Sequence, residues 1–281
     1  MKLFSGVITA LITPFYHGKI DEKSLQRLVE DQVNRGVQGF VINGTTAESP
    51  TLSEEEVRQI YNIVKKSVPQ KFPLIVGTGT NSTENTIRLS KEAERLGADA
   101  VLVVVPYYNK PPQLGLFEHF KAVADQINIP VVLYNVPGRT ITSLEVETIK
   151  KLSEHPNIIG IKEATGNIGF AKQIREACGS EFLLLSGDDG TYDEFMKEGR
   201  GDGVISVASH IILEAMLQKK ASQNINLINA LFSEANPIPI KMALYLLGVI
   251  RSPELRLPLV TMSPSATEKL KTEMKAKELL T

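Results

Sequence analysis

Cysteine is nearly missing from this sequence of 281 residues, and tryptophan is missing altogether. A single cysteine, Cys178, excludes an internal disulfide framework and a multi-cysteine zinc or iron–sulfur site. On its own it reads as a small apolar packing residue rather than a nucleophile. Charge of one sign is lacking too: 31 Lys and Arg against 32 Asp and Glu leave a net charge of -1. No global basic excess is available to hold nucleic acid or an anionic membrane. Long apolar runs are also absent. The longest uninterrupted one, Ala100–Pro106, falls far short of the ~20 residues a membrane helix needs. Leu3–Phe15 behind Lys2 mimics a signal sequence, but Ser5, Gly6, Thr9, Thr13 and Pro14 interrupt it and no small-x-small cleavage site follows. The segment is expected to be a first strand, and the expected compartment is the cytoplasm.

What is present is a 42% hydrophobic chain in which short β-rich runs alternate with longer helical ones. Strands are expected at Gly6–Thr13, Phe40–Ile42, Pro73–Val76, Ala100–Val105, Pro130–Tyr134, Ile158–Lys162, Phe182–Ser186 and Gly203–Val207. Most are continuously hydrophobic, as parallel strands covered on both faces should be. Helical periodicity fills the gaps, for example at Asp21–Arg35 and Ser82–Leu96, and Ser53 with Glu56 forms a capping box at one helix start. Glycines at Gly36, Gly97 and Gly199 stop helices just before the next strand. Eight such units in one chain favour a TIM (β/α)8 barrel over an open doubly wound sheet, a fold that commonly takes ~250 residues. Residues 1–222 are expected to be barrel. Residues 223–281 are expected to form a C-terminal helical extension, including Pro239–Val249 and Ser265–Leu279.

In a TIM barrel the chemistry sits at the C-terminal ends of the strands. Those ends here carry Asn43–Glu48, Pro106–Tyr108, Tyr134–Asn135, Lys162–Glu163, Ser186–Asp189 and Ile205–Ser206. The four histidines (His17, His119, His155, His210) fall elsewhere, so a metal-dependent aldolase is disfavoured and no metal or cofactor is expected. Lys162 is the sharpest residue, and its strand phase is expected to share a face with Ile158 and Gly160. The same phasing aligns Tyr134 with Val132 and Pro130. On adjacent strands the two would stand ~4.8 Å apart. Burying an ammonium among apolar groups is costly and favours the neutral amine that Schiff-base formation requires. A tyrosine hydroxyl beside it can shuttle protons. The plainer alternative is a lysine paired to a barrel carboxylate, with Tyr134 as ordinary core. Thr45 and Tyr108, at the same level, tip the reading towards chemistry. Gly44-Thr45-Thr46 suits a small carboxylate, and Arg139, just past Tyr134, suits a second one. Gly77-Thr78-Gly79-Thr80 lacks the Walker lysine and reads as close backbone packing rather than a phosphate cradle.

Gly44–Glu48, Tyr134–Thr140, Gly160–Ala164 and Glu234–Pro239 together resemble, in order and at similar spacing, the signatures of the dihydrodipicolinate synthase (4-hydroxy-tetrahydrodipicolinate synthase) family. That family lies within the pyruvate-dependent class I aldolase and N-acetylneuraminate lyase superfamily. The resemblance implies an aldol-type condensation of pyruvate with L-aspartate 4-semialdehyde, the first committed step toward diaminopimelate and lysine. By similarity Lys162 forms the imine with pyruvate, while Tyr134, Thr45 and Tyr108 form the proton relay, Tyr108 reaching in from a neighbouring subunit. Thr46 would hold the pyruvate carboxylate and Arg139 the semialdehyde carboxylate. Gly187 and Ile205 would line the pocket through backbone groups. A homo-oligomer follows, as a tetramer of paired dimers. Two alternatives remain: another pyruvate-dependent aldolase such as an N-acetylneuraminate lyase, and an inactive barrel that only binds. Relatives of the first kind usually carry serine where Thr45 stands and lack the arginine.

Two departures qualify the resemblance. Ala47 stands where glycine is usual, and would cost about 1 kcal/mol if that backbone needs positive φ. The segment from His210 to Phe232 is roughly one helix short, with the polar patch Gln218–Asn224 expected as loop. Ser49, Asn81 and Tyr107 match a lysine-binding cleft of feedback-sensitive relatives, but Asn85 replaces the usual glutamate and Glu54 the usual histidine or lysine. Weak or absent lysine inhibition is therefore expected, since Glu84 should point elsewhere.

Overall fold

A computed structural model describes residues 3–280, leaving Met1, Lys2 and Thr281 outside the description. Eight parallel strands close into a barrel: β1 Gly6–Ala10, β2 Phe40–Ile42, β3 Leu74–Gly77, β4 Ala100–Val104, β5 Val131–Asn135, β6 Ile158–Glu163, β7 Leu183–Ser186 and β8 Gly203–Ser206. Each pairs with its sequence neighbours, and β1 seals against β8 through Gly6↔Gly203 to Thr9↔Ser206. The TIM barrel read from the alternation is thus the fold. β1 is shorter than the expected Gly6–Thr13: the Leu11 N–H makes the last ladder bond, to the Val41 carbonyl, the Ile12 N–H turns to His210 Nε2, and the chain enters a hairpin of two short strands, Phe15–Tyr16 with Lys19–Ile20.

Side chains divide into two layers. An inner set, including Ile8, Val41, Ile75, Leu102, Val132, Leu185 and Ile205, fills the barrel. An outer set, including Val7, Leu133, Ile161 and Leu184, packs against the helices. The period-2 alternation of a strand makes this division. β6 breaks it in one place. Val131 pairs with Ile158 but Val132 pairs with Gly160, so Ile159 is bulged. Ile158 consequently belongs to the outer layer and Ile159 packs on the inner one. The expected shared phase of Ile158 and Lys162 is therefore wrong. The extra residue shifts the register, and Lys162 reaches the interior because of it. Tyr134 and Val132 share the inner face as expected.

Beyond β8, helices run over Ser209–Leu217, Ile225–Leu231, Ile238–Leu246 and Pro264–Ala276. The polar patch is a left-handed turn at Lys219 followed by one 3-10 turn, Ala221–Asn224. It is anchored by Asp193, whose carboxylate accepts the N–H groups of Ala221 and Ser222 at 3.0 and 2.8 Å. No helix among the described residues is long and apolar enough to cross a membrane.

Candidate active site

Register brings the two central residues together. Tyr134 pairs with Lys162 across β5 and β6, and the lysine Nζ lies 4.2 Å from the centre of the tyrosine ring. Both side chains are buried. The next pair outward, Asn135 and Glu163, faces the other way and locks the strand ends from behind. Asn135 Nδ2 donates to Glu163 Oε2 at 2.8 Å, and Asn135 Oδ1 accepts the Leu144 N–H at 3.0 Å. Glu163 also accepts the Thr165 N–H, and burial pushes its carboxyl above the usual range against the pull of these bonds. This buried carboxyl was not singled out from the sequence. Only its place behind Lys162, one residue on and so on the opposite face, gives it meaning.

Two clefts meet on this pair. One, of about 510 Å³, is lined by Thr45, Thr46, Tyr134, Arg139, Lys162, Gly187, Ile205 and the 232–236 segment. Seven of the eight expected catalytic and substrate-binding residues are there. The other, of about 140 Å³, runs from the same Thr45, Thr46, Tyr134 and Lys162 towards Ser49, Thr78–Thr80 and Tyr107. The eighth residue, Tyr108, lines neither cleft. It stands 88% exposed with a left-handed backbone at φ 75, while Tyr107 takes the place at the cleft wall. The expectation that Tyr108 sits level with Thr45 does not hold within one chain. Asn81 lies outside both clefts and pins the aromatic turn through its carbonyl, which accepts Asn109 Nδ2 at 2.8 Å.

Local detail explains several residue choices. A Cβ on Gly187 would lie 2.9 Å from Lys162 Cε and 2.6 Å from Ala164 Cβ, so only glycine leaves the lysine its room. A Cβ on Gly79 would meet the Val104 nitrogen at 2.3 Å, which makes that glycine-rich stretch close packing, as expected. Arg139 sits in the short turn Pro137–Thr140, exposed at the cleft edge and without a carboxylate partner among the described residues. Thr45–Ala47 forms a single 3-10 turn, and positive φ falls on the flanking Asn43 (φ 58) and Glu48 (φ 60) and not on Ala47. The cost anticipated for alanine is therefore absent. Asn236, part of a quoted motif but given no role, donates Nδ2 to Thr46 Oγ1 at 2.9 Å and leaves Oδ1 unpartnered among the described residues. The one cysteine, half-buried Cys178, has its thiol pushed up by burial, which suits packing rather than attack. No group of His, Cys, Asp or Glu among the described residues is arranged to hold a metal ion.

An amine and a phenol on paired strands, a hydroxyl-rich turn beside them and an unpaired guanidinium across the cleft define a lysine-bearing (β/α)8 barrel suited to carbonyl addition. A family model described as the dihydrodipicolinate synthetase family matches residues 3–277, and the chain belongs to that family. A 4-hydroxy-tetrahydrodipicolinate synthase of Bdellovibrio bacteriovorus is 55% identical over 98% of both chains. The crystal structure of dihydrodipicolinate synthase from Thermotoga maritima superposes with a TM-score of 0.95 at 41% identity, covering 99% of this chain and 100% of that one. A chloride-inhibited dihydrodipicolinate synthase from Acinetobacter baumannii, solved in complex with pyruvate, gives 0.94 at 41% identity over 98% and 99%.

Proposed function

We propose that this protein condenses pyruvate with L-aspartate 4-semialdehyde to 4-hydroxy-tetrahydrodipicolinate, a lyase-class reaction leading towards diaminopimelate and lysine. The observation that carries the reading is the Tyr134–Lys162 pair at the junction of two clefts, one of which ends on Arg139. The Lys162 amine adds to the pyruvate carbonyl and water leaves, giving an imine. Loss of a methyl proton turns the imine into an enamine, whose carbon attacks the aldehyde and takes up a proton on the new hydroxyl. The amine of the semialdehyde then displaces Lys162 from the imine carbon, closing the ring and freeing the enzyme. Tyr134 moves protons to the departing oxygen and from the nitrogen as the imine forms and is displaced, with Thr45 and the Tyr108 of a second copy completing the relay. Thr46 and the backbone of its turn hold the pyruvate carboxylate, Arg139 the semialdehyde carboxylate, and Gly187 and Ile205 the walls.

The arginine at the second cleft favours this substrate over those of other pyruvate-dependent aldolases. A homo-oligomer, a tetramer of paired dimers, supplies Tyr108 in trans, and the cytoplasm is the compartment. Residues 1–222 act as the barrel and 223–281 as an extension packed on it. Borohydride added with pyruvate should trap an adduct on the peptide containing Lys162. An adduct on another lysine, or none, ends the assignment.

A further inference from the structure

Glu48 and Lys241 make an ion pair whose two side chains are both fully buried, Nζ to Oε1 at 2.6 Å. Neither residue lines a cleft, and the condensation uses neither. Replacing a buried ion pair by apolar groups is often neutral or stabilising, so stability is a weak reason to keep one. Its surroundings point to another role. Glu48 directly follows Thr45–Ala47 and holds a left-handed backbone (φ 60, ψ 38), a conformation that costs a non-glycine residue of order 1–3 kcal/mol unless its surroundings enforce it.

Enforcement comes from far along the chain. Glu48 Oε2 accepts the Arg256 N–H at 2.9 Å, and Lys241 and Arg256 each lie 4.3 Å from the centre of the buried Phe15 ring. Thr13 Oγ1 donates to the Ala47 carbonyl at 2.9 Å, in addition to the Asn236 bond to Thr46. The turn beside Lys162 is thus gripped at three successive residues, and the one charged grip is the ion pair.

We propose that the Glu48–Lys241 pair is a positioning device for the first substrate: it fixes the Thr45–Thr46 turn and thereby sets affinity for pyruvate without touching it. The proposal rests on the reading of that turn as the pyruvate-carboxylate site. Three variants test it: Glu48→Gln, Lys241→Met and the double variant. Each is measured for melting temperature, for KM of both substrates, and for the pyruvate concentration that half-saturates borohydride trapping on Lys162. Half-saturating pyruvate should rise about tenfold in the single variants, with KM for the semialdehyde changed less than twofold. In the double variant the melting temperature should recover while the pyruvate defect stays. Unchanged half-saturation, equal rises for both substrates, or a pyruvate defect that disappears as stability returns would each overturn the proposal. Failure of all three variants to fold would overturn it too, by making the pair a requirement of the whole barrel. Absence of an adduct in the unaltered protein would remove the functional reading itself, and the proposal with it.

Discussion

The clefts on either side of Lys162 are finished to different degrees. On the Arg139 side the chain ties its own walls. Asn236 bonds the substrate-binding turn, and fully buried Asp189 accepts the Val207 and Ala208 N–H groups at 2.9 and 2.8 Å, fixing the end of β8 beside Ile205. On the Tyr107 side the wall ends in solvent. Tyr108, next to Tyr107, is 88% exposed and holds a positive φ of 75. Bulky residues are seldom exposed and strained together without a reason. One half of the site is tied by the chain's own bonds, and the other ends on an exposed aromatic residue. The contrast separates a wall that folding builds from one that the proposed second copy would complete.

Breaking the shared centre should have the largest effect. Lys162→Ala should lower turnover by several orders of magnitude in both halves of the reaction, with the fold retained by circular dichroism and melting. Next comes the finished side. Arg139→Ala should lower kcat/KM for the semialdehyde about tenfold to a hundredfold, the worth of a charge-assisted bond at an open cleft edge, while pyruvate trapping stays within a factor of about two. Equal loss for both substrates would make Arg139 structural. On the unfinished side, Tyr108→Phe should cost turnover about tenfold without changing the sedimenting species. A fully active monomer of the unaltered protein would remove the trans role of Tyr108.

Two buried histidines sharpen the contrast through pH. Burial pushes His119 and His210 down to about 4. The folded state therefore refuses protons that the unfolded chain binds near pH ~6.5. Stability is full above that value and is lost as pH falls towards 4, by up to roughly 3 kcal/mol per histidine. Melting should fall accordingly between pH 7 and 4.5. His119→Leu should flatten that fall, because it removes one of the two buried imidazoles, at the cost of the 2.9 Å contact between its Nδ1 and Thr83 Oγ1. His210→Leu should destabilise at every pH, because its Nε2 accepts the Ile12 N–H at 3.3 Å. The smallest response is expected to added lysine. Glu54 is already paired with Arg88 at 2.7 Å and Glu84 is exposed, so neither replaces the missing carboxylate at Asn85. Half-inhibition at sub-millimolar lysine in an activity titration would refute this.

Much of the barrel was legible because parallel strands buried on both faces announce themselves as apolar runs between glycine-ended helices. The hairpin at Phe15–Ile20 was not, since two-residue strands carry no periodicity. The bulge at Ile159 was not either: one extra residue leaves the hydrophobic pattern intact while reversing which side of it faces inward. Within the site, residues at strand ends could be read, and Tyr134, Lys162, Thr45, Thr46 and Arg139 gather as expected. Lys241 was invisible, because a lysine within an apolar helix declares a buried partner only once Glu48, 193 positions earlier, is placed beside it. Only the placement of Tyr108 level with Thr45 in the same chain failed, because adjacent aromatics do not reveal which of them turns outward.

That separation along the chain has a consequence for synthesis. At ~5–20 residues per second, a ribosome needs on the order of 10–40 s to travel from Glu48 to Lys241. Before that interval ends all eight strands have been made, β8 ending at Ser206, while the carboxylate meant for the interior still lacks its cation. An emerging polypeptide thus has every reacting group before it has the counter-charge that seats them. Synthesis of the stretch from Ser206 to Lys241 is thus expected to separate the arrival of the reacting groups from the tightening of the proposed pyruvate site.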